Sequence, residues 1–221
     1  MLQSEPTPNF KDIKKYYPHY YAGRGKSGAT VYYEDCGGID VPALTGLGIT
    51  VSDLVRHYVY MTEFCFTVLN PSPEAKTITV FDVDGVGVGD VKGKVLEFIK
   101  ETTAIMQAHY PERSQCILVV NAPIWFSAIW SIVRVFVNER TQSKVSISST
   151  RSSLAALSKH LDYGEIPEKY GGGKRWRNGE GGKDNGRWWS EEEIRFREWV
   201  EEYGGVKHDE GDKERMERRV E

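Results

Sequence analysis

Two carboxylates one residue apart stand at the end of a β-prone run, Val80-Phe81-Asp82-Val83-Asp84-Gly85-Val86. Paired carboxylates are candidates for a nucleophile and a proton carrier beside a metal ion. Such a site would need further carboxylates from elsewhere in the chain to hold the metal. The later strand-like runs end in Asn121-Ala122-Pro123 and Ser148-Ser149-Thr150, with no acidic pair at either place.

The Asp-x-Asp-Gly segment resembles the first motif of haloacid-dehalogenase-like phosphatases, and in that segment alone. A Mg²⁺-dependent phosphatase on Asp82 and Asp84 is therefore the third reading. An EF-hand over Asp82, Asp84 and Asp90 fails because Gly93 stands where a bidentate Glu is needed and a strand precedes the loop. The five histidines, His19, His57, His109, His160 and His208, have no ligand-like spacing, and no Gly-x-Ser-x-Gly elbow occurs. Glycines and lysine in Gly23-Arg24-Gly25-Lys26-Ser27-Gly28 lack phosphate-loop spacing, so a hairpin or strand-to-loop link is expected there. The reading assigns no enzyme activity, catalytic residue or metal. The two aspartates fit a glycine-rich turn whose carboxylates make local hydrogen bonds.

The elements that must position these residues follow from pattern. Thr50 with Asp53 forms a capping-box signature. Leu54, Tyr58, Met61 and Cys65 then recur at helical spacing up to Asn70-Pro71. Lys94–His109 is again helical, with Val95, Ile99, Thr102 and Met106 on one face. Strand-like runs cover Thr30–Glu34, Thr77–Val83, Cys116–Val120 and Lys144–Ser148, and a short helix covers Ser152–Leu161. Strands alternating with helices predict an α/β sandwich on a largely parallel sheet. At 221 residues, 39% hydrophobic and 12% aromatic, the chain can bury a sizeable core. A net charge of -3 provides no basic footprint for nucleic acid. Cys36, Cys65 and Cys116, odd in number and set in apolar patterns, read as buried free thiols of a reducing compartment. Neither a membrane-spanning run nor a signal peptide is visible, so a soluble cytoplasmic protein is expected.

The segment Ile124–Val137 is apolar on nearly every face. Trp125, Ile129, Ile132 and Phe136 form one stripe, Trp130, Val133 and Val137 another, and Ser131 and Arg134 are the clear polar breaks. A surface helix keeps a polar face. Either this helix is buried on all sides, or it packs the sheet with one face and covers a removable apolar ligand with another. Periodicity leaves both open.

An ordered set of motifs resembles the CRAL-TRIO lipid-binding domains across roughly Tyr17–Gly172. It comprises Val31-Tyr32-Tyr33-Glu34 with Gly38-Ile39-Asp40, then Phe81-Asp82-Val83-Asp84-Gly85, then Gln107-Ala108-His109-Tyr110-Pro111-Glu112-Arg113. Asn121-Ala122-Pro123-x-x-Phe126, Thr141-x-x-Lys144-Val145 and Ile166-Pro167-x-x-Tyr170-Gly171-Gly172 complete it. The resemblance implies a CRAL-TRIO-like sandwich with a mobile gate helix, hinged near Pro123, over a cavity for one phospholipid or other lipophile. It places Val80, Asp82, Val86, Val88 and Val119 at the pocket. Trp125, Phe126, Ile129, Trp130, Ile132, Val133 and Phe136 belong to the gate. No cofactor is expected other than that ligand, and the protein is expected to be a monomer.

The implied domain is 17–173. Before it, 1–16 reads as an extension in place of the family's N-terminal helical subdomain. After it, 174–221 reads as a basic and aromatic linker, a capped helix Ser190–Tyr203 and a charged tail. Trp125, Trp130, Lys174, Arg175 and Trp176 are the expected contacts with a membrane surface, touched transiently and peripherally. Phosphatidylcholine-handling members of that family carry hydroxyls after the central Gly, where Val86-Gly87-Val88-Gly89 has none, and phosphoinositide-handling members carry a lysine after the later strand, where Ser148–Leu154 offers only Arg151, so the resemblance does not assign phosphatidylinositol. The alternative to a lipid carrier is a non-exchanging scaffold or regulatory module of the same fold.

Overall fold

Runs rich in Val, Ile, Thr and Tyr pair into one five-stranded sheet in a computed structural model that describes residues 9–174 and 190–203. In chain order the elements are α1 (Phe10–Tyr16), β1 (His19–Arg24), β2 (Thr30–Asp35), α2 (Val41–Gly46), α3 (Val51–Phe64), β3 (Thr77–Asp82) and α4 (Gly93–His109). There follow β4 (Ser114–Val120), α5 (Phe126–Val133), α6 (Glu139–Gln142), β5 (Val145–Ile147), α7 (Thr150–Ser158) and α8 (Glu191–Tyr203). The strands lie in the order β1-β2-β3-β4-β5. β1 and β2 form an antiparallel hairpin, and β2 to β5 are parallel.

Strand alternation gives the sheet two different faces. On one face Val31, Tyr33, Ile78, Val80, Leu118 and Val120 pack against Leu157 and Leu161, in and just beyond α7, and against Tyr170. On the other, Thr79, Phe81, Ile117 and Val119 look toward α3, α4 and α5 across a cavity. The closing turn tightens through Gly171 at φ 85° and Gly172, where an added Cβ would lie 2.1 Å from the Ile166 carbonyl.

α3 starts at the expected capping box, with Thr50 and Asp53 bonding each other's backbone N–H. It runs into a single π-helical stretch, Cys65–Leu69, whose last carbonyl accepts from Arg24 at 2.6 Å. The extension and tail expected outside residues 17–173 both contribute packed helices. Phe10 and Ile13 of α1 are buried, as are Phe196, Trp199 and Val200 of α8. Phe10 and α8 share a cluster with Tyr60, Met61 and Phe64 of α3. A buried ion pair, Lys14 to Glu193 at 3.0 Å, ties α1 to α8, and Glu193 also accepts from Arg197 at 3.0 Å. Of the three thiols, Cys65 and Cys116 are buried and Cys36 is half-buried.

Candidate functional site

The cavity measures about 880 Å³, at the upper end of the ~300–1,000 Å³ usual for ligand sites. Its floor is the sheet: Thr77, Thr79 and Phe81 from β3, Ile117 and Val119 from β4, and Tyr32 and Glu34 from β2. One wall is α3, through Tyr58, Met61 and Thr62, continued by Phe66 of the π-helical stretch. Another is α4, through Val95, Phe98, Ile99, Thr102 and Met106, the stripe its periodicity marks. Thr102 alone of α4 is fully buried, because the helix turns its apolar face to the cavity instead of to packed side chains.

α5 forms the roof. Phe126 and Ile129 are buried on Val83, Val119 and Ala122, while Trp130 and Val133 overhang the cavity half-buried. The outward side is open and carries apolar side chains beside polar ones: Ile132 in α5, Trp125 just before it and Val135 just after it are 42%, 39% and 70% exposed, Ile124 is fully exposed, and Ser127, Ser131 and Arg134 are exposed among them. The alternative of a helix buried on all sides is therefore excluded. Side-chain amides satisfy the carbonyls that α5 and its following turn leave open. Gln107 donates to Phe136 at 3.1 Å, and Gln142 donates to Arg134 and Val137 at 3.1 and 2.6 Å. Gln107, the first residue of the Gln-x-x-Tyr-Pro-Glu motif, thus ties the far end of the roof to α4.

That end of the cavity is polar. Arg140 pairs with Glu112 at 2.6 Å, and Lys144, 3.9 Å from Glu112, donates to the Ser114 carbonyl at 2.7 Å. Asn138 Oδ1 accepts from the Thr141 N–H at 2.8 Å. All six residues line the cavity. Glu112 and Arg140 are about half and two-thirds exposed, so their pairing adds little stability. Glu34 forms a second, buried polar point in the wall. Burial pushes its carboxyl up to about 7, although Tyr32 donates to it at 2.9 Å.

The expected pocket residues divide. Val86, Val119, Phe126, Ile129, Trp130 and Val133 line the cavity. Val80 and Asp82 do not: they stand on the opposite face of β3, since alternation gives Thr79 and Phe81 to the cavity. Val88 is exposed in the loop before α4, Ile132 is on the outer face of the roof, and Phe136 lies half-buried beyond α5. Asp82 accepts from Lys169 at 3.0 Å, Asn121 at 2.8 Å and the Asp84 N–H at 3.2 Å, which leaves a nucleophile's lone pairs engaged, and Asp84 is exposed. Of the expected membrane contacts, Trp125 is exposed, Trp130 faces the cavity and Lys174 pairs with Glu165 at 2.6 Å. Arg175 and Trp176 lie outside the described residues. The sequence motifs contain Glu112, Thr141 and Lys144 but give no sign that they converge with Arg140 at one cavity end. Among the described residues, no helix is long and apolar enough to cross a membrane.

A mostly parallel sheet with a dry core on one face and a helix-roofed apolar cavity on the other defines a class of α/β ligand-binding domains. The chain belongs to the CRAL/TRIO domain family, whose model matches residues 14–172. It is 29% identical over 187 residues to the Sec14 cytosolic factor of Schizosaccharomyces pombe, covering 81% of this chain and 64% of that protein. It is 28% identical over 167 residues to the phosphatidylinositol/phosphatidylcholine transfer protein SFH7 of Arabidopsis thaliana, covering 72% of this chain and 30% of that one. The chain thus spans less than two-thirds of the length of these relatives. A crystal structure of Sfh5 shares the fold, with a TM-score of 0.56 at 20% identity over 66% of this chain and 51% of that one.

Proposed function

We propose that this chain holds one phospholipid-like molecule and exchanges it at a membrane surface, without making or breaking bonds. The acyl chains occupy the apolar cavity, and a phosphate-bearing head group lies at the Glu112–Arg140–Lys144 end. The observation that carries the reading is a roof segment that turns apolar side chains over the cavity and also leaves Ile124, Trp125, Ile132 and Val135 open to the outside. Burying an acyl chain away from water is worth ~0.8 kcal/mol per CH₂, so a chain of ordinary length is held against water by roughly 10 kcal/mol or more. Against a bilayer that term nearly cancels, because both environments are apolar. Exchange therefore belongs at a membrane, where Trp125, Ile132 and Val135 can enter the interface as α5 swings out. The names of the relatives point to the same ligand class. Lys174, Arg175 and Trp176 are proposed as further membrane contacts, and the protein works as a cytoplasmic monomer that touches membranes peripherally.

The test is lipid extraction and mass spectrometry on the purified chain, paired with transfer of labelled phospholipid between vesicles. The reading requires about one phospholipid per protein and measurable transfer. A chain that carries no lipid and transfers none is the non-exchanging scaffold instead.

A further inference from the structure

Asp82 is buried, charged and turned away from the cavity, yet it touches the pivot of the roof helix. Its Oδ1 accepts from the side-chain amide of Asn121 at 2.8 Å, and its Oδ2 accepts from Lys169 at 3.0 Å. Asn121 holds a left-handed backbone, φ 57°, a conformation that Asn adopts more readily than most residues with side chains. Three segments brace it. Asp82 comes from the end of β3 and Lys169 from the closing turn. Ser153, in α7, accepts from the Asn121 N–H at 3.0 Å, its own hydroxyl lying 3.0 Å from the Ser149 carbonyl and 3.4 Å from Asn121 Oδ1. One more backbone bond follows, from the Ala122 N–H to Ser148 at 2.9 Å. Beyond it come Pro123 and the exposed Ile124 and Trp125, and then α5.

We propose that Asp82 and Lys169 form a latch on the pivot of α5, a pair of positioning residues that sets how readily the roof opens without touching the lipid. The proposal rests on the reading of α5 as a gate. Asn121 is the last residue tied by its side chain to the sheet's far side, so rotation of the roof must occur just past it. Loosening Asn121 lengthens the hinge. Burial alone would raise the Asp82 carboxyl, but Lys169, Asn121 and the Asp84 N–H more than offset it and hold the group below its ordinary value. The Asp82 carboxylate therefore stays charged throughout the neutral range.

Hydrogen exchange on Asp82→Asn and on Asn121→Gly, each compared with the unaltered chain, reads the pivot directly. Glycine adopts the left-handed backbone without strain, so the second variant removes the side-chain bonds and keeps the local fold. Loss of a charge-assisted bond predicts that amides of residues 122–137 exchange about tenfold faster in both variants, while those of β4 are unchanged. Vesicle transfer should quicken with the amount of bound lipid unaltered. Roof protection at the unaltered level in both variants, or equal acceleration in β4 and the roof, overturns the latch. Lipid-free protein from the unaltered chain would refute the carrier reading, while the exchange comparison would still decide on the latch.

Discussion

His57 donates from Nε2 to Nε2 of His19 at 2.8 Å, inside the junction of α3 and β1. The assignment follows from His19, whose Nδ1 lies 2.7 Å from the Tyr17 carbonyl and must donate there, leaving Nε2 as acceptor. That assignment holds because burial beside Lys14 and Arg197 keeps both rings neutral. Phe10, Phe196 and Tyr32 surround them, with Lys14, Arg197 and Glu193 as the charged neighbours. Burial first, and Lys14 second, hold both imidazoles well below their usual range.

The unfolded chain protonates these rings near pH 6.5, and the fold only at lower pH. Their contribution is complete above about 6.5 and falls as pH drops, by ~1.4 kcal/mol per pH unit for each ring still neutral. Glu34 acts in the opposite sense. With its carboxyl raised to about 7, its contribution is complete below its ordinary value of 4.5 and is lost as pH rises toward 7. Urea midpoints measured from pH 7 to pH 5 should fall for the unaltered chain, fall more steeply for Glu34→Gln, and fall less for His57→Gln. A flat profile in the unaltered chain removes the neutral pair.

The two faces of α5 should separate by mutation. Trp130→Asp places a charge in the cavity roof, so it should abolish lipid retention and transfer. Trp130 is half-buried, so the melting temperature should change little. Ile132→Ser with Val135→Ser alters only exposed positions and should leave the bound lipid in place while slowing vesicle transfer. Normal transfer by Trp130→Asp sinks the gate.

α8 is expected to behave as core and not as tail. Phe196 is completely buried, with its ring centroid 5.0 Å from that of Phe64 and 5.6 Å from that of Phe10. Phe196→Ala should cost about 3–5 kcal/mol of unfolding free energy by chemical denaturation. A change within about 0.5 kcal/mol, the range of ordinary surface substitutions, would mean that α8 is not seated there in solution.

Much of this architecture is legible in the residues. Thr50 and Asp53 announce the start of α3, and the spacing of Val95, Ile99, Thr102 and Met106 marks the face of α4 that meets the cavity. What the pattern cannot show is the side of β3 on which the cavity lies. Thr77–Asp82 is covered on both faces, so its run is apolar or β-branched almost throughout and gives Val80 and Phe81 equal claim. The seat of α8 depends on contacts between Phe10, Phe64 and Phe196, which are too far apart in the chain for any local period to record. The same holds for the polar end: Glu112 reads as part of a turn, and Arg140 carries no signal until the roof brings it to 2.6 Å.

That polar end gives the last prediction. Acyl chains contribute most of the retention, so charges at the mouth should choose among lipids without deciding whether one is held. Lys144 is the better buried of the two cations, about a quarter exposed, and Arg140 is mostly in water. A phosphate beside them would gain charge-assisted bonds that a neutral lipid cannot make. Replacing both, Arg140→Ala with Lys144→Ala, should leave total bound lipid near one per protein and shift its composition away from anionic phospholipids by about tenfold. Glu112→Gln, which frees the same cations from their carboxylate, should shift it the other way. Mass spectrometry of lipid extracted from the three proteins after incubation with mixed vesicles makes the comparison. Identical lipid profiles would place the head group elsewhere, and Glu34 is the other polar point in the wall.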